Sequence, residues 1–158
     1  MPTLARTLPY AALGLEYAQD VVAGKILACR WVQLACQRHL DDLARYTGGN
    51  TPFFFDAKQA NHVCDVIQHF PHIKGIWAQH QQHIVLESWQ CFVISVVFGW
   101  KSTATGHRRF RIVYIEIPRK NAKSTLTSAV GLYLTACDGE PGAHVVSAAN
   151  TRDQAKIV

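Results

Sequence analysis

Residues 118–125 read PRKNAKST and hold the densest chemistry in the chain. Lys123 and Ser124 are a pair suited to polyphosphate: an ammonium for the β- and γ-oxygens beside a hydroxyl for Mg²⁺. A helix beginning there adds unpaired N–H groups and the positive end of its dipole. The usual pattern for such loops, GxxxxGK[ST], puts glycines where this chain has Ile117 and Ala122. A Cβ at Ala122 crowds the phosphate, and costs about 1–2 kcal/mol if the backbone there is left-handed. On these residues alone, a basic helix start without a ligand is an equal reading.

The loop sits inside a charge cluster. Sixteen Lys and Arg against eleven Asp and Glu give the 158-residue chain a net charge of +5. Lys101, Arg108, Arg109, Arg111, Arg119, Lys120 and Lys123 fall close together with Glu116 as the acid among them. Such a cluster suits phosphate, of a nucleotide or of a nucleic-acid backbone, and equally a solvated basic face. A second candidate set, Cys64 with His69, His72, His80 and His83, has no standard zinc spacing.

The elements that must position the loop follow from periodicity. Residues 110–117, FRIVYIEI, are rich in β-branched and aromatic side chains and predict a strand halted by Pro118. From Ser124 to about Cys137 a helix is predicted, with Leu126, Ala129, Val130, Tyr133 and Cys137 on one face. The sequence DGEPG at 138–142 stops it, and residues 143–148 predict a short buried strand. Strand, loop, helix and strand form a βαβ unit with parallel strands, and ligands in such units sit where the first strand hands over to its helix. Thr151 is placed to cap a last helix.

Upstream, one helix is predicted over about 16–46. Its apolar recurrences are Leu27, Trp31 and Leu34, and then Cys36, Leu40 and Leu43. Gly48, Gly49, Asn50 and Pro52 break it. Asp56 caps a second helix with Ala60, Val63, Cys64 and Ile67 on one face, ended by Pro71. A third carries the stripe Trp89, Phe92, Val93, Val96, Val97 and Trp100. The fold class expected is α/β, with a helical N-terminal region at 1–75 and a partial P-loop βαβ core at 76–158.

Composition bounds the rest. With 49% hydrophobic and 17% charged residues the chain is not a disordered one. Its longest uncharged runs, 124–137 and 88–100, fall short of the ~20 residues of a membrane span. The N-terminus shows no secretory signal, and five Cys without a CxxC pair fit reduced thiols, so a cytoplasmic location is expected, the bacterial host's cytoplasm on the resemblance below.

Several separated motifs resemble one family. The loop PRKNxKS, the DGEPGA turn and SAAxxRDQA at 147–155 look like the ATPase segment of the large terminase subunit of tailed bacteriophages, in the branch with HK97-like heads. So do LExWQ at 86–90, FGWK at 98–101, LACxRHLxDL at 34–43, FFFD at 53–56 and VCDxI at 63–67. The resemblance spans residues 27–158. It implies an ASCE-type ATPase coupled to a metal-dependent nuclease that packages double-stranded DNA into a procapsid. ATP and Mg²⁺ would be the cofactors. Double-stranded DNA, the small terminase subunit and the portal would be the partners, with no membrane involved and a homo-oligomeric ring only in the full-length form.

Residue by residue, the resemblance implies that Lys123 contacts the β- and γ-phosphates and that Ser124 holds Mg²⁺. Arg119 would stabilise transition-state charge, Gln90 would contact adenine, and Lys120, Asn121, Ala122 and Thr125 would complete the nucleotide loop. Trp89, which begins the apolar stripe, reads as core. After Ser124 the acids are Asp138, Glu140 and Asp153, and Asp41-Asp42 lies within the first predicted helix. A second acidic motif and the nuclease carboxylates are thus missing, so the chain is expected to be a truncated portion that binds nucleotide weakly and turns none over. Two other readings remain open: a non-enzymatic nucleic-acid-binding module using the basic cluster, and a fragment of another P-loop enzyme such as a helicase.

Overall fold

The computed structural model describes residues 9–48, 50–73, 75–151 and 155. They divide into two units: residues 1–65 with 85–113, and residues 66–84 with 114–158. Each is described by itself.

The first unit opens with α1, Tyr10–Val22, and α2, Arg30–Arg45. The single helix predicted over 16–46 is therefore two. Gly24 adopts φ +74, a left-handed turn that ends α1, and Lys25 N–H reaches back to Asp20 O at 2.9 Å. The turn also redirects α2. Cys36 is fully buried, and Leu40 and Leu43 pack against the core, as their spacing predicts. The companion stripe faces water instead: Leu27 is 101%, Trp31 75% and Leu34 49% exposed. Leu27 lies ahead of α2 in the link after Gly24, and on α2 itself the stripe of Cys36, Leu40 and Leu43 takes the core neighbour that Trp31 and Leu34 do not.

Next come β1, Phe53–Phe55, α3, Ala57–Gln68, and, after the second unit's insertion, α5, Ser88–Gly99, and β2, Trp100–Ser102. Asp56 caps α3 as predicted, its Oδ1 accepting Gln59 N–H at 2.9 Å. Burial works to raise the Asp56 carboxyl, yet the Gln59 N–H and the Lys101 ammonium hold it below its ordinary value. Ala60, Val63, Cys64 and Ile67 are all fully buried, the face the periodicity marks. The strands pair antiparallel, Phe53 with Ser102, Phe54 with Lys101 and Phe55 with Trp100. Neither was predicted: three residues are too few to show an alternation.

α5 is buried on most of its circumference rather than on one stripe, Cys91, Ile94 and Phe98 joining Phe92 and Val96 inside. Gly14 explains how α1 lies so close to it. A Cβ on Gly14 would come within 2.9 Å of the Phe92 backbone. The core gathers Ala18, Val21, Cys36, Phe92, Val96 and Trp100.

The second unit holds α4, Gly75–Gln79, and α6, Lys123–Ala136. Residues 70–84 close on themselves through Ile84 N–H to Phe70 O at 2.9 Å and His72 N–H to Gln82 O at 2.8 Å. α6 falls within one residue of its predicted span and buries Leu126, Ala129 and Tyr133. Gly139 and Gly142, both left-handed, follow it. Of the predicted last helix only Thr151 and Ala155 lie within the described residues, joined by Ala155 N–H to Thr151 O at 3.1 Å.

Helices with a small sheet match the mixed α/β content expected. The parallel βαβ pairing does not form among the described residues: neither 110–117 nor 143–148 is a strand, and the sheet present is the two-stranded antiparallel one. Residues 112–115 keep the alternation of a strand, with Ile112 at 91%, Val113 at 46%, Tyr114 at 85% and Ile115 at 40% exposure. They lack a ladder. Strand propensity measures fit to a half-buried, paired surface, and β-branched residues without a neighbouring backbone have no such surface to fit.

Candidate functional site

The loop at 118–125 is shaped by two left-handed residues that are not glycine, Lys120 at φ 69 and Ala122 at φ 56, ψ 20. Ala122 is the N-cap of α6, and with no side-chain oxygen it makes no cap hydrogen bond. The α6 ladder begins with Leu126 N–H to Ala122 O at 2.9 Å. The left-handed residue followed by helical Lys123 turns successive N–H groups toward one side, the concavity that favours an anion. Asn121 braces the loop from within, its Nδ2 donating to Pro118 O and to Arg119 O, each at 3.3 Å. Thr127 Oγ1 donates to Lys123 O at 2.9 Å and fastens the first turn.

Arg119, Lys120, Lys123 and Ser124 are exposed and Thr125 is half-buried. The loop thus presents cations, a hydroxyl and N–H groups to solvent, a set matched to phosphate oxygens. Among the described residues no three His, Cys, Asp or Glu side chains gather to hold a metal. Ser124 supplies a single oxygen, which fits Mg²⁺ carried by a nucleotide's own phosphates and waters rather than an ion caged by protein alone.

The left-handed Ala122 has a direct consequence. An L-residue there bears about 1–2 kcal/mol of strain, offset in part by the larger entropy that glycine loses on folding. Ala122→Gly is expected to stabilise the chain by roughly 0.5–1 kcal/mol in thermal unfolding and to tighten triphosphate binding. An unchanged or lower melting temperature would show that the Cβ is not the source of strain.

The rest of the basic cluster divides by role. Lys101 Nζ pairs with Asp56 Oδ2 at 2.9 Å, and the Arg108 guanidinium lies over Phe98, 5.4 Å from its centroid. Arg109 Nη1 donates to Asp42 Oδ2 at 2.8 Å. Its guanidinium also lies 4.5 Å from the Phe53 ring centre, with Trp100, Tyr46 and Phe110 within 5.5 Å. These three side chains hold the first unit together. Asp42, at helical spacing from Cys36 and His39, and Phe110 beside Arg109 were the available signals, but neither says which cation meets which acid.

Gln90 is 5% exposed and lies at the start of α5. Its Oε1 accepts Glu87 N–H at 2.8 Å while the Glu87 side chain accepts the Gln90 N–H, a complete capping box. The spacing Glu-x-x-Gln ahead of an apolar run was a readable sign of it. Gln90 falls in the first unit and residues 119–125 in the second. No helix among the described residues is long and apolar enough to cross a membrane.

Residues 88–158 match the family model described as terminase large subunit, ATPase domain. No curated protein and no solved structure matches.

Proposed function

Since residues 88–158 belong to the terminase large-subunit ATPase family, we propose that the chain binds a nucleoside triphosphate, ATP, through residues 119–125, as part of a motor that packages double-stranded DNA. The observation that carries this is the matched segment's own loop, where Lys123 and Ser124 open α6 behind a left-handed Ala122. Lys123 grips the β- and γ-phosphates. Ser124 would hold the Mg²⁺ that travels with them through its hydroxyl oxygen, and Thr125 and the backbone N–H groups would complete the cradle. Mg²⁺, when bound, neutralises phosphate charge. Arg119 and Lys120 extend the positive field over the leaving phosphates, with Arg119 set to meet charge developing at the γ-phosphate. Asn121 keeps the loop in the shape that aims these groups.

In this reading residues 76–158 form the ATPase part and 1–75 its helical companion. DNA, the small terminase subunit and the portal are the partners that the packaging role requires. The assignment to residues 119–125 stops at binding and orientation, because a water-activating carboxylate is not among them.

Lys123→Ala tests the reading. Loss of one charge-assisted contact is expected to weaken triphosphate binding by about tenfold to a hundredfold, measured by equilibrium titration in the presence of Mg²⁺. Affinity unchanged by the substitution would sink the proposal. Salt-sensitive DNA binding that also ignores Lys123 would favour a nucleic-acid module in its place.

A further inference from the structure

We infer that the outward face of α2 is a docking surface for an acidic amphipathic helix of a partner protein, which sets aliphatic side chains against Trp31 and Leu34 and carboxylates against Arg30 and Arg45. Cys36, His39 and Asp42 mark the buried side of α2. Trp31 and Leu34 lie about one turn apart on the other side, and both are exposed. The elbow between α1 and α2 leaves a groove of about 450 Å³ in which Leu34 shares the lining with Val22, Arg30 and Gln37. Val22 is exposed as well. Single exposed apolar residues are ordinary, whereas a neighbouring set rimmed by polar groups marks a contact surface.

The charge around this set says what kind of partner it suits. Arg30, Arg38 and Arg45 are exposed on α2 against one exposed acid, Asp41, whose carboxylate accepts from Gln37 Nε2 at 2.8 Å. Neither Arg30 nor Arg45 makes an ion pair among the described residues, while Lys25 is taken by Asp20 at 2.8 Å. Arg30 also stands where a cation is disfavoured. The first turn of α2 holds no acid, and its N-cap, Cys29, makes no side-chain hydrogen bond. A partner carboxylate there meets a guanidinium and the positive end of the helix together. A second copy of this chain is the wrong occupant, because α2 laid on α2 sets Arg30, Arg38 and Arg45 against their own kind with only Asp41 to answer them. Nucleic acid would meet the cations but leave Leu34 and Val22 without a base to stack on.

The test titrates the full chain by calorimetry with two synthetic amphipathic helices that share one leucine stripe, one flanked by Glu and the other by Lys. NMR follows the Trp31 indole N–H in parallel. The Glu helix is expected to shift that signal and to bind about tenfold or more tightly than the Lys helix, with the difference shrinking as salt rises. Trp31→Ala is expected to weaken the Glu helix by about tenfold or more. Arg30→Glu combined with Arg45→Glu is expected to turn the preference toward the Lys helix. All three positions are exposed, so the variants should keep the parent's melting temperature. The comparison of the two helices needs no variant and stands even if a substituted chain fails to fold. Failure of the Glu helix to bind, equal binding of both helices, or a preference unmoved by the charge reversal would overturn the inference. So would a dimer of the chain that Trp31→Ala dissolves, or an oligonucleotide that shifts the Trp31 indole in place of the Glu helix. No readout involves a nucleotide, so the result is independent of the reading of residues 119–125.

Discussion

Replacing Asp42 with alanine is expected to destabilise the protein by about 3–5 kcal/mol, read as a fall in the urea midpoint at unchanged slope. The Asp42 side chain is 4% exposed and that of Arg109 18%, so the 2.8 Å contact between them is nearly cut off from water. Removing the carboxylate leaves a guanidinium among the rings of Tyr46, Phe53, Trp100 and Phe110 without a counter-charge. The rings soften that loss through their negative faces, each such contact contributing roughly 0.5–2 kcal/mol, but they cannot accept its N–H groups as a carboxylate does.

The same physics sets a second arm. Asp42→Leu combined with Arg109→Met removes both charges, and the pair is expected to be less destabilising than Asp42→Ala alone, because no buried ion is left unpaired. Arg109→Lys should recover little, since an ammonium lacks the flat fork that stacks on rings while it donates to Asp42. A loss below about 1 kcal/mol for Asp42→Ala would mean the pair behaves as a surface ion pair.

Acidification should weaken the fold through His39. This histidine is 3% exposed, and burial, with Arg38 adding to it, pushes its pKa from 6.5 down to about 4 despite the opposing pull of Asp42. Trp100 Nε1 donates to its Nδ1 at 3.0 Å. A proton on that nitrogen would set two donors face to face. In the unfolded chain His39 takes its proton near 6.5, whereas in the folded chain it resists until about 4. Between those values the unfolded state binds more protons, so stability is complete above about 6.5 and lost as the pH falls through the window. The loss reaches about 3 kcal/mol at the acid end. His39→Gln keeps an acceptor for the indole and removes the titration, so its stability should fall less steeply than the parent's from pH 6.5 to 4. Equal slopes in parent and variant would show that His39 is not the titrating group.

Much of the loop was legible in the residues. Lys123 and Ser124 at a helix start needed only a breaker at Pro118 and the period of Leu126, Ala129 and Tyr133. The strain at Ala122 was readable as a condition, a glycine position filled by alanine, and the left-handed backbone meets that condition. The face of α3 and its Asp56 cap were equally local, because a cap and a 3.6-residue stripe are properties of one segment.

The failures share a cause. Residues 110–117 have the composition of a strand, but a strand is a relation between two backbones, and its own side chains cannot report whether a neighbour exists. Leu27, Trp31 and Leu34 recur at helical spacing just as Cys36, Leu40 and Leu43 do, and periodicity does not say which face meets α1. Arg109 stood among six other cations with nothing local to mark it.

By itself, then, the sequence determined what short-range chemistry decides: where α6 begins, which cations and hydroxyls cluster at its start, where α3 is capped, and a family likeness carried by ordered motifs. Only the tertiary structure decided which of two apolar stripes is buried, and that Lys101 and Arg109 are paired within the fold while Lys123 is exposed. Both pairings turn on a partner far along the chain, 45 residues away for Lys101–Asp56 and 67 for Arg109–Asp42, whose distance and burial exist once the chain has folded. Charge and amide chemistry are written in the residue. Whether they act on the ligand or on the protein is set by desolvation, which belongs to the fold.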